Sequence, residues 1–388
     1  MKDGFVTENI KYIGVDDKDI DLFESQYIVP NGVSYNSYVI LDEKIVIMDT
    51  ADKRKSSEWM KNLEDALLGK TPDYLVVSHM EPDHASSIDK VLDKYPDIKI
   101  VGNTKTFTMM SQFFNKDFEQ NKYVVADGDE LSIGTHTLKF IFAPMVHWPE
   151  VMVTYEMSEK ILFSADGFGK FGALDTDEDW ACEARRYYFN IVGKYGAQVQ
   201  SLLKKLAGVE INKICPLHGP ILEENLAYYI NLYDIWSSYK PEAEGVFIAY
   251  ASIHGNTAEA AAKFKEILLE KGAKKVSMMD LAREDMAECV EDAFKYGKVA
   301  LAASSYDAGV FTPMHDFLSH LAAKGYRNRK VALIENGSWA PTAAKTMSNM
   351  LSAMKDITIC ENVVTIRSTL KETDTDALNV LADEILAD

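Results

Sequence analysis

The most informative stretch of this chain is Ser78-His79-Met80-Glu81-Pro82-Asp83-His84. It places two imidazoles and two carboxylates within six residues, directly after an apolar run at 74–77 that is typical of a buried strand. On a short loop leaving a strand, such side chains can point to either side and hold two metal ions. Imidazole and carboxylate suit iron, manganese or zinc, and no thiolate is present to favour softer ions. A solvated polar loop is the alternative interpretation.

Three further side chains that can bind metal each follow an apolar run that predicts a strand. They are His147 after 138–142, Asp166 after 160–164 and His218 after the run that begins at 214. Taken singly, His147 or His218 is more often a structural histidine than a ligand. Because each strand delivers its end to one rim of a sheet, we expect the three to converge with the 79–84 loop.

Size, charge and cysteine content narrow the class of protein. The 388 residues, 47% hydrophobic, predict two or three domains with substantial cores. No run of 18 apolar residues and no secretory signal is visible, so we expect a cytoplasmic protein without a membrane partner. A formal net charge of -19 without a basic block argues against a nucleic-acid partner. No C-x-x-C pair occurs among the cysteines, which are Cys182, Cys215, Cys289 and Cys360.

The pattern of the sequence changes near residue 241. Residues 1–241 mix short strands, turns and helices, including a hairpin around 42–44, and predict a mixed αβ domain. After a short Pro/Gly/Glu linker, five strands alternate with five helices over 245–388. That alternation predicts a doubly wound parallel sheet, whose ligand lies at the carboxyl ends of the strands.

The order of the metal-binding residues resembles the metallo-β-lactamase-like αβ/βα fold, with His-x-[His/Glu]-x-Asp-His followed by His, Asp and His. Hydrolases of that fold, such as glyoxalase II, usually have histidine where this chain has Glu81. Three carboxylates and a bridging hydroxide nearly neutralise two divalent ions. Hard anionic oxygens also stabilise a higher oxidation state, which favours a redox-active iron pair over a zinc pair.

A lactamase-like domain followed by a flavodoxin-like domain resembles the flavodiiron proteins, also called A-type flavoproteins or rubredoxin:oxygen oxidoreductases. The resemblance covers essentially the whole chain and includes the segments 147–149, 165–174 and 187–191. It implies that one iron is bound by His79, Glu81 and His147, the other by Asp83, His84 and His218, and that both are bridged by Asp166. Of these His84 is the least secure ligand. Tyr195 is a candidate donor beyond the ligands, although an ordinary helix-face tyrosine accounts for it equally well.

Three loops at the rim of the second domain carry the candidate FMN-binding residues. The first opens a helix and offers neutral donors to a phosphate; its candidates are Ser252, His254, Gly255, Asn256 and Thr257. A Ser/Thr-rich helix cap is the alternative there. In the other two loops aromatic rings can flank a flavin and glycines allow close approach; the candidates are Ser304, Tyr306, Asp307, Gly309, Asn336, Gly337 and Trp339. The sequences of both loops differ from those that are more common in the family.

The resemblance implies an oxidoreductase that reduces dioxygen to water, nitric oxide to nitrous oxide, or both, at two non-haem irons. FMN would relay electrons from an external donor, with rubredoxin favoured over a deazaflavin donor. A head-to-tail homodimer, or a dimer of dimers, would bring the cofactors together. Two alternatives stay open: a binuclear zinc hydrolase with an accessory flavodoxin domain, and a flavin electron carrier or gas sensor with a vestigial metal domain.

Overall fold

The computed structural model describes residues 4–387 and divides into two compact units. The first contains the chain up to Tyr187 together with Ala197–Tyr233, and the second contains Tyr188–Gly196 and the chain from Asp234 onward. Residues 188–196 belong to the second unit because they pack within it: the Phe189 ring stacks on Phe294 at 4.1 Å. The domain limits 1–241 and 245–388 stay a prediction about independent folding.

Two large sheets form the first unit. The six-stranded sheet has the order β1-β6-β7-β8-β9-β10, with β1 at Ile10–Tyr12, β6 at Tyr38–Ile40, β7 at Val46–Met48, β8 at Tyr74–Val76, β9 at Lys99–Gly102 and β10 at Lys122–Val124. The five-stranded sheet has the order β11-β12-β13-β14-β15, with β11 at Glu130–Ser132, β12 at Thr137–Phe142, β13 at Met152–Glu156, β14 at Ile161–Phe163 and β15 at Lys213–Cys215. The antiparallel pairing of β6 with β7 confirms the predicted hairpin.

Two small sheets and seven helices complete the described part of the chain up to residue 237, residues 4–237. The small sheets pair β2 (Val15–Asp17) with β5 (Val33–Tyr35) and β3 (Leu22–Phe23) with β4 (Tyr27–Ile28). The helices are α1 (Ser56–Leu67), α2 (Pro82–Ala85), α3 (Ile88–Lys94), α4 (Thr104–Phe113), α5 (Trp180–Tyr187), α6 (Gly196–Leu206) and α7 (Leu226–Ser237). Between α5 and α6 lie a π-helix at Tyr188–Val192 and a 3-10 helix at Gly193–Tyr195.

One hydrophobic core joins the two large sheets. Val46 and Val76 of the six-stranded sheet pack in the same buried cluster as Phe140, Met152 and Phe163 of the five-stranded sheet. The strands are short and rich in buried β-branched and aromatic residues, as expected for sheets that face each other. This packing fixes the strand ends that carry the metal-binding side chains.

The second unit is a parallel sheet with the order β17-β16-β18-β20-β21. Its elements alternate as β16 (Ala243–Ala251), α8 (Asn256–Glu270), β17 (Val276–Asp280), α9 (Met286–Lys295), β18 (Tyr296–Tyr306), β19 (Gly309–Val310), α10 (Thr312–Ala323), β20 (Arg327–Asn336), α11 (Ala343–Ser352), β21 (Lys355–Ile366) and α12 (Glu372–Leu386). The order 2-1-3-4-5 of the five parallel strands is the flavodoxin-like order, and it confirms the predicted doubly wound sheet. The short strand β19, which pairs antiparallel with β18, was not predicted.

No helix within residues 4–387 combines the length and the apolar content needed to cross a bilayer.

Candidate metal centre and flavin cavity

The seven predicted metal-binding side chains lie together at the carboxyl ends of strands from both large sheets. Strand β8 leads into the 79–84 stretch, and β12 leads toward His147. Strands β14 and β15 run parallel with Phe163 beside Cys215, so Asp166 and His218 emerge side by side, each a few residues beyond its strand. The ligand set thus comes from strand ends that the shared core holds in place.

Within the 79–84 stretch the backbone changes conformation at Pro82. Glu81 is extended, with φ -60 and ψ 137, and Pro82 opens the short helix α2. Proline is favoured at this first helical position because the missing N–H has no helical partner anyway. His79 and Glu81 precede the turn and face one metal position, whereas Asp83 and His84 belong to the turn and face the other. The predicted loop therefore combines extended backbone at Glu81 with a helical turn from Pro82.

The first metal position is formed by His79, Glu81 and His147 together with Asp166. Glu81 Oε2 lies 3.1 Å from His79 Nε2 and 3.0 Å from His147 Nε2. Asp166 Oδ2 lies 3.4 Å from His79 Nε2 and 3.1 Å from His147 Nε2. Donors about 2.1 Å from a shared ion are themselves about 3.0–3.4 Å apart, so these spacings suit one cation at their centre.

The second metal position is formed by Asp83, His84 and His218. The Nε2 atoms of the two imidazoles lie 3.0 Å apart, and Asp83 Oδ2 is 3.2 Å from each. The other oxygen of Asp166, Oδ1, lies 3.8 Å from both nitrogens. One carboxylate therefore directs one oxygen to each position, which is the geometry of a bridging ligand.

Buried polar atoms without a hydrogen-bond partner indicate that the site suits metal ions. They include both carboxylate oxygens of Asp83, Asp166 Oδ1 and His147 Nε2. Asp166 and Asp83 are 1% and 8% exposed, so bulk water has little access to these oxygens. Leaving such atoms unpaired is costly, and cations at the two positions would remove that cost. Metal ligation by these seven residues stays a prediction.

The electrostatics of the cluster also favour positive charge. Burial alone would lower the pKa of His79, but Asp166, Glu150 and Glu81 raise it well above its ordinary value. Burial likewise opposes protonation of His147, yet the neighbouring carboxylates of Asp166 and Glu81 raise its pKa to about 9. The carboxylates thus draw positive charge into a dry site, and metal cations can take the place of those protons.

Glu150 is a functional candidate that the sequence reasoning missed. Its Oε1 accepts hydrogen bonds from His79 Nδ1 and from Met80 N, both at 2.8 Å, and its side chain is fully enclosed. This contact fixes the imidazole so that Nε2 faces the metal position. Ser34 carbonyl oxygen plays the same part for His218 by accepting from Nδ1 at 2.7 Å. The proximity of Glu150 to the motif at 147–149 was the available signal.

Aromatic rings surround the imidazoles and keep the site dry. Phe23 meets the His218 ring edge-on at 5.4 Å, Tyr187 lies 5.5 Å from it, and Trp148 meets His79 at 5.1 Å. His84 is held less firmly, because its Nδ1 is buried without a partner among residues 4–387. Tyr195 lies in the 3-10 helix that groups with the second unit, and its proposed role stays a prediction.

A cavity of about 490 Å³ opens at the carboxyl ends of β16, β18, β20 and β21 in the second unit. Ten of the twelve predicted cofactor residues line it: Ser252, His254, Asn256, Thr257, Ser304, Tyr306, Asp307, Asn336, Gly337 and Trp339. The reasoning missed seven others, namely Ile253, Ser305, Ala308, Ser338, Ala340, Thr342 and Ser368. Ser368 follows the fifth strand, and the rule that parallel strand ends share one rim could have found it.

The phosphate-type end of the cavity is built from neutral donors. Gly255, at φ 96, precedes α8 and donates its N–H to Ser252 Oγ at 3.0 Å, and Thr257 Oγ1 lies 2.9 Å from Ser304 Oγ. At the other end the Trp339 side chain is 89% exposed, so a ring face is free to cover a planar ligand. Size and donor set both suit a flavin mononucleotide.

At two of the predicted positions, glycine is explained by the local backbone structure and not by close approach of a ligand. Gly255 and Gly309 do not line the cavity; Gly255 closes the turn before α8, and Gly309 accepts a hydrogen bond from Thr342 Oγ1 at 2.8 Å. Gly337 does line it, but a Cβ there would lie 2.8 Å from Pro341 Cα. Close packing within its own loop therefore excludes a side chain at position 337.

Comparison with known proteins covers both units. A family model described as ODP family beta lactamase matches residues 33–219. The chain is 28% identical over 375 residues to an uncharacterized protein of Methanocaldococcus jannaschii, covering 95% of this chain and 94% of that protein. It is 28% identical to the anaerobic nitric oxide reductase flavorubredoxin of Escherichia coli, covering 89% and 74% of the two chains. The structure of rubredoxin oxygen:oxidoreductase from Desulfovibrio gigas superposes with a TM-score of 0.91 at 25% identity, covering 98% and 97%. With its lactamase-like and flavodoxin-like units in that order, the chain resembles the flavodiiron proteins over both units.

Proposed function

We propose that this protein is a flavodiiron oxidoreductase that reduces dioxygen to water, nitric oxide to nitrous oxide, or both. The observation that carries the proposal is the placement of Asp166, whose two oxygens face two adjacent clusters of buried imidazole and carboxylate groups. A second observation supports it: a cavity with neutral phosphate-type donors and an exposed tryptophan lies in a flavodoxin-like sheet of the same chain.

The relatives support redox chemistry over hydrolysis. One is named an anaerobic nitric oxide reductase flavorubredoxin and another a rubredoxin oxygen:oxidoreductase. Glu81, in place of the usual histidine of the hydrolases, adds a hard anionic donor to the first position. The zinc hydrolase alternative is therefore not favoured.

When bound, a metal pair and a flavin supply two reducing electrons each, enough for four-electron reduction of dioxygen or for two-electron coupling of nitric oxide. The chain's own residues hold and orient these groups. Asp166 would set the spacing of the two ions, Glu150 would keep His79 Nε2 turned toward the first, and the Ser34 carbonyl would do the same for His218. Phe23 and its neighbouring rings exclude bulk water.

The test is anaerobic reconstitution with ferrous iron and FMN, followed by stopped-flow mixing of the reduced protein with each gas. We expect the reconstituted protein to contain two irons and one FMN per chain. At least one of the two gases should reoxidise both the flavin and the metal. His79→Gln should abolish the reaction, whereas His315→Gln, a half-exposed histidine on α10, should not. Zinc retention with hydrolytic turnover, or no reaction with either gas, would contradict the proposal. Faster reoxidation by one gas would assign the preferred substrate.

We infer that an external donor, rubredoxin being the favoured class, delivers electrons at the rim of the flavin cavity. That rim exposes Trp339, Tyr306 and Ile253, which are 89%, 47% and 38% exposed. We also propose a head-to-tail homodimer, or a dimer of dimers, in the cytoplasm, because the flavin cavity and the metal centre belong to different units of the chain. Mixing a flavin-deficient variant with a metal-deficient variant tests the dimer, because only subunits that exchange electrons would regain activity.

A further inference from the structure

The loop between β20 and α11, called here the flavin loop, comprises residues 336–342. It supplies a large share of the cavity wall, namely Asn336, Gly337, Ser338, Trp339, Ala340 and Thr342. Beyond Asn336, the last residue of β20, the loop has no regular structure, and its most prominent side chain, Trp339, is almost fully exposed. Something must fix the loop for this ring to be useful as a flavin contact.

Glu335, the residue directly before the loop, reaches across it. Its Oε2 accepts a hydrogen bond of 2.8 Å from the N–H of Ala344, which lies just beyond the far end of the loop. Its Oε1 accepts a hydrogen bond of 2.8 Å from Thr365 Oγ1 on the neighbouring strand β21. The side chain therefore joins both ends of the flavin loop to each other and to the adjacent strand.

The carboxylate is buried and carries no balancing cation. Glu335 is 7% exposed, and its two oxygens are bound by a backbone N–H and a hydroxyl, both neutral donors. Among residues 4–387 no lysine, arginine or histidine forms an ion pair with it. The first turn of α11 offers partial compensation, because helix N-termini favour negative charge. Apart from the Tyr306 phenol, the ionisable side chains of the cavity wall are those of His254 and Asp307.

We propose that Glu335 is the positioning residue of the flavin loop and that its unpaired negative charge lowers the reduction potential of the bound flavin. The proposal rests on the proposed function, since it takes FMN as the occupant of the cavity. Reduction adds negative charge to the flavin ring, and a fixed negative charge in a low-dielectric surrounding opposes that addition. A lower potential makes the reduced flavin a stronger donor to the next acceptor.

The test compares two substitutions at the same residue. Glu335→Ala removes both hydrogen bonds, so the amides of 337–343 should exchange hydrogen at least tenfold faster in the flavin-free protein, and FMN should bind at least tenfold more weakly. Glu335→Gln keeps the shape and one acceptor but removes the charge, so the midpoint potential of bound FMN should shift to a more positive value. Glu384→Gln is the control, because the Glu384 carboxylate also accepts from backbone N–H groups, those of Glu361 and Asn362, but, unlike Glu335, it is not adjacent in the chain to a residue of the cavity wall.

Circular dichroism and thermal unfolding establish that each variant is folded before it is compared. Unchanged amide exchange in Glu335→Ala, or an unchanged flavin potential in Glu335→Gln, would overturn the inference. A shift of the same size in Glu384→Gln would overturn it as well. Failure of the unsubstituted protein to bind FMN would instead refute the proposed function, and amide exchange in the flavin-free protein would still decide whether Glu335 positions the loop.

Discussion

Replacing Glu150 by alanine is expected to weaken metal binding at the first position selectively. Glu150 Oε1 is the acceptor for both His79 Nδ1 and Met80 N, each at 2.8 Å, so the substitution frees the imidazole to rotate and leaves a buried N–H unpaired. Loss of such an orienting partner typically costs 10- to 100-fold in metal affinity, which corresponds to about 1.4–2.8 kcal/mol. The second position has its own support in the hydrogen bond from His218 to Ser34 and should keep its affinity.

The assay is anaerobic competition of the apoprotein with a chelator for cobalt(II) or iron(II), followed through the absorption of the bound metal. One of two metal equivalents should weaken in Glu150→Ala, and Glu150→Gln, which retains an acceptor for Nδ1–H, should recover most of the loss. Glu156→Gln serves as the control, since Glu156 is equally buried but accepts only from the turn N–H groups of Ser158 and Glu159. Two unchanged equivalents in Glu150→Ala, or equal weakening of both, would refute the reasoning.

Two further predictions concern stability and flavin binding. His136→Gln should lower the free energy of unfolding by about 3 kcal/mol, because the buried imidazole bonds Asp42 at 2.6 Å and Glu159 at 3.0 Å on opposite sides. Burial alone would lower the pKa of His136, but Glu159 and Asp42 raise it above 6.5. This contribution to the free energy of unfolding should therefore be full at low pH and be lost as the pH rises through the folded-state pKa of His136. Chemical denaturation at several pH values checks both points, and a variant with the same pH profile as the parent would contradict them. Trp339→Ala should weaken FMN binding by roughly tenfold, given about 1–1.5 kcal/mol for an aromatic stacking contact, as measured by quenching of flavin fluorescence, while equal affinity would exclude this ring as a flavin contact.

Much of the metal centre was predictable because the types of its residues and their positions in the sequence indicate its chemistry. Carboxylates and imidazoles just after apolar runs mark strand ends, and strand ends in a packed sheet share a rim. The division of the seven side chains between two positions came from family resemblance, and the distances around Asp166 are consistent with it. Glu150 escaped because a single acidic residue carries no pattern of its own. Its role depends on the distance to His79, which only the folded chain reveals.

In the second unit the order of strands and helices followed directly from regular alternation of apolar runs. Local conformations were harder to predict. Asp307 and Ala308 both have positive φ values, 46 and 56, and form the tight turn between β18 and β19. Alanine gives no sequence signal for such a turn, since glycine, asparagine and aspartate are the usual residues there. The grouping of residues 188–196 with the second unit was hard to predict for a similar reason: ring packing of Phe189 on Phe294 joins segments far apart in the chain.

The predicted ligands of the metal centre come from four separate segments of the first unit and from strand ends in both of its large sheets. Two bound ions would therefore act as removable cross-links between the two large sheets. Thermodynamically, the binding energy becomes available only after both sheets have closed on their common core. A nascent chain could not capture iron piecemeal, and a damaged chain whose sheets had parted would release it, so iron content would report the integrity of this half of the molecule.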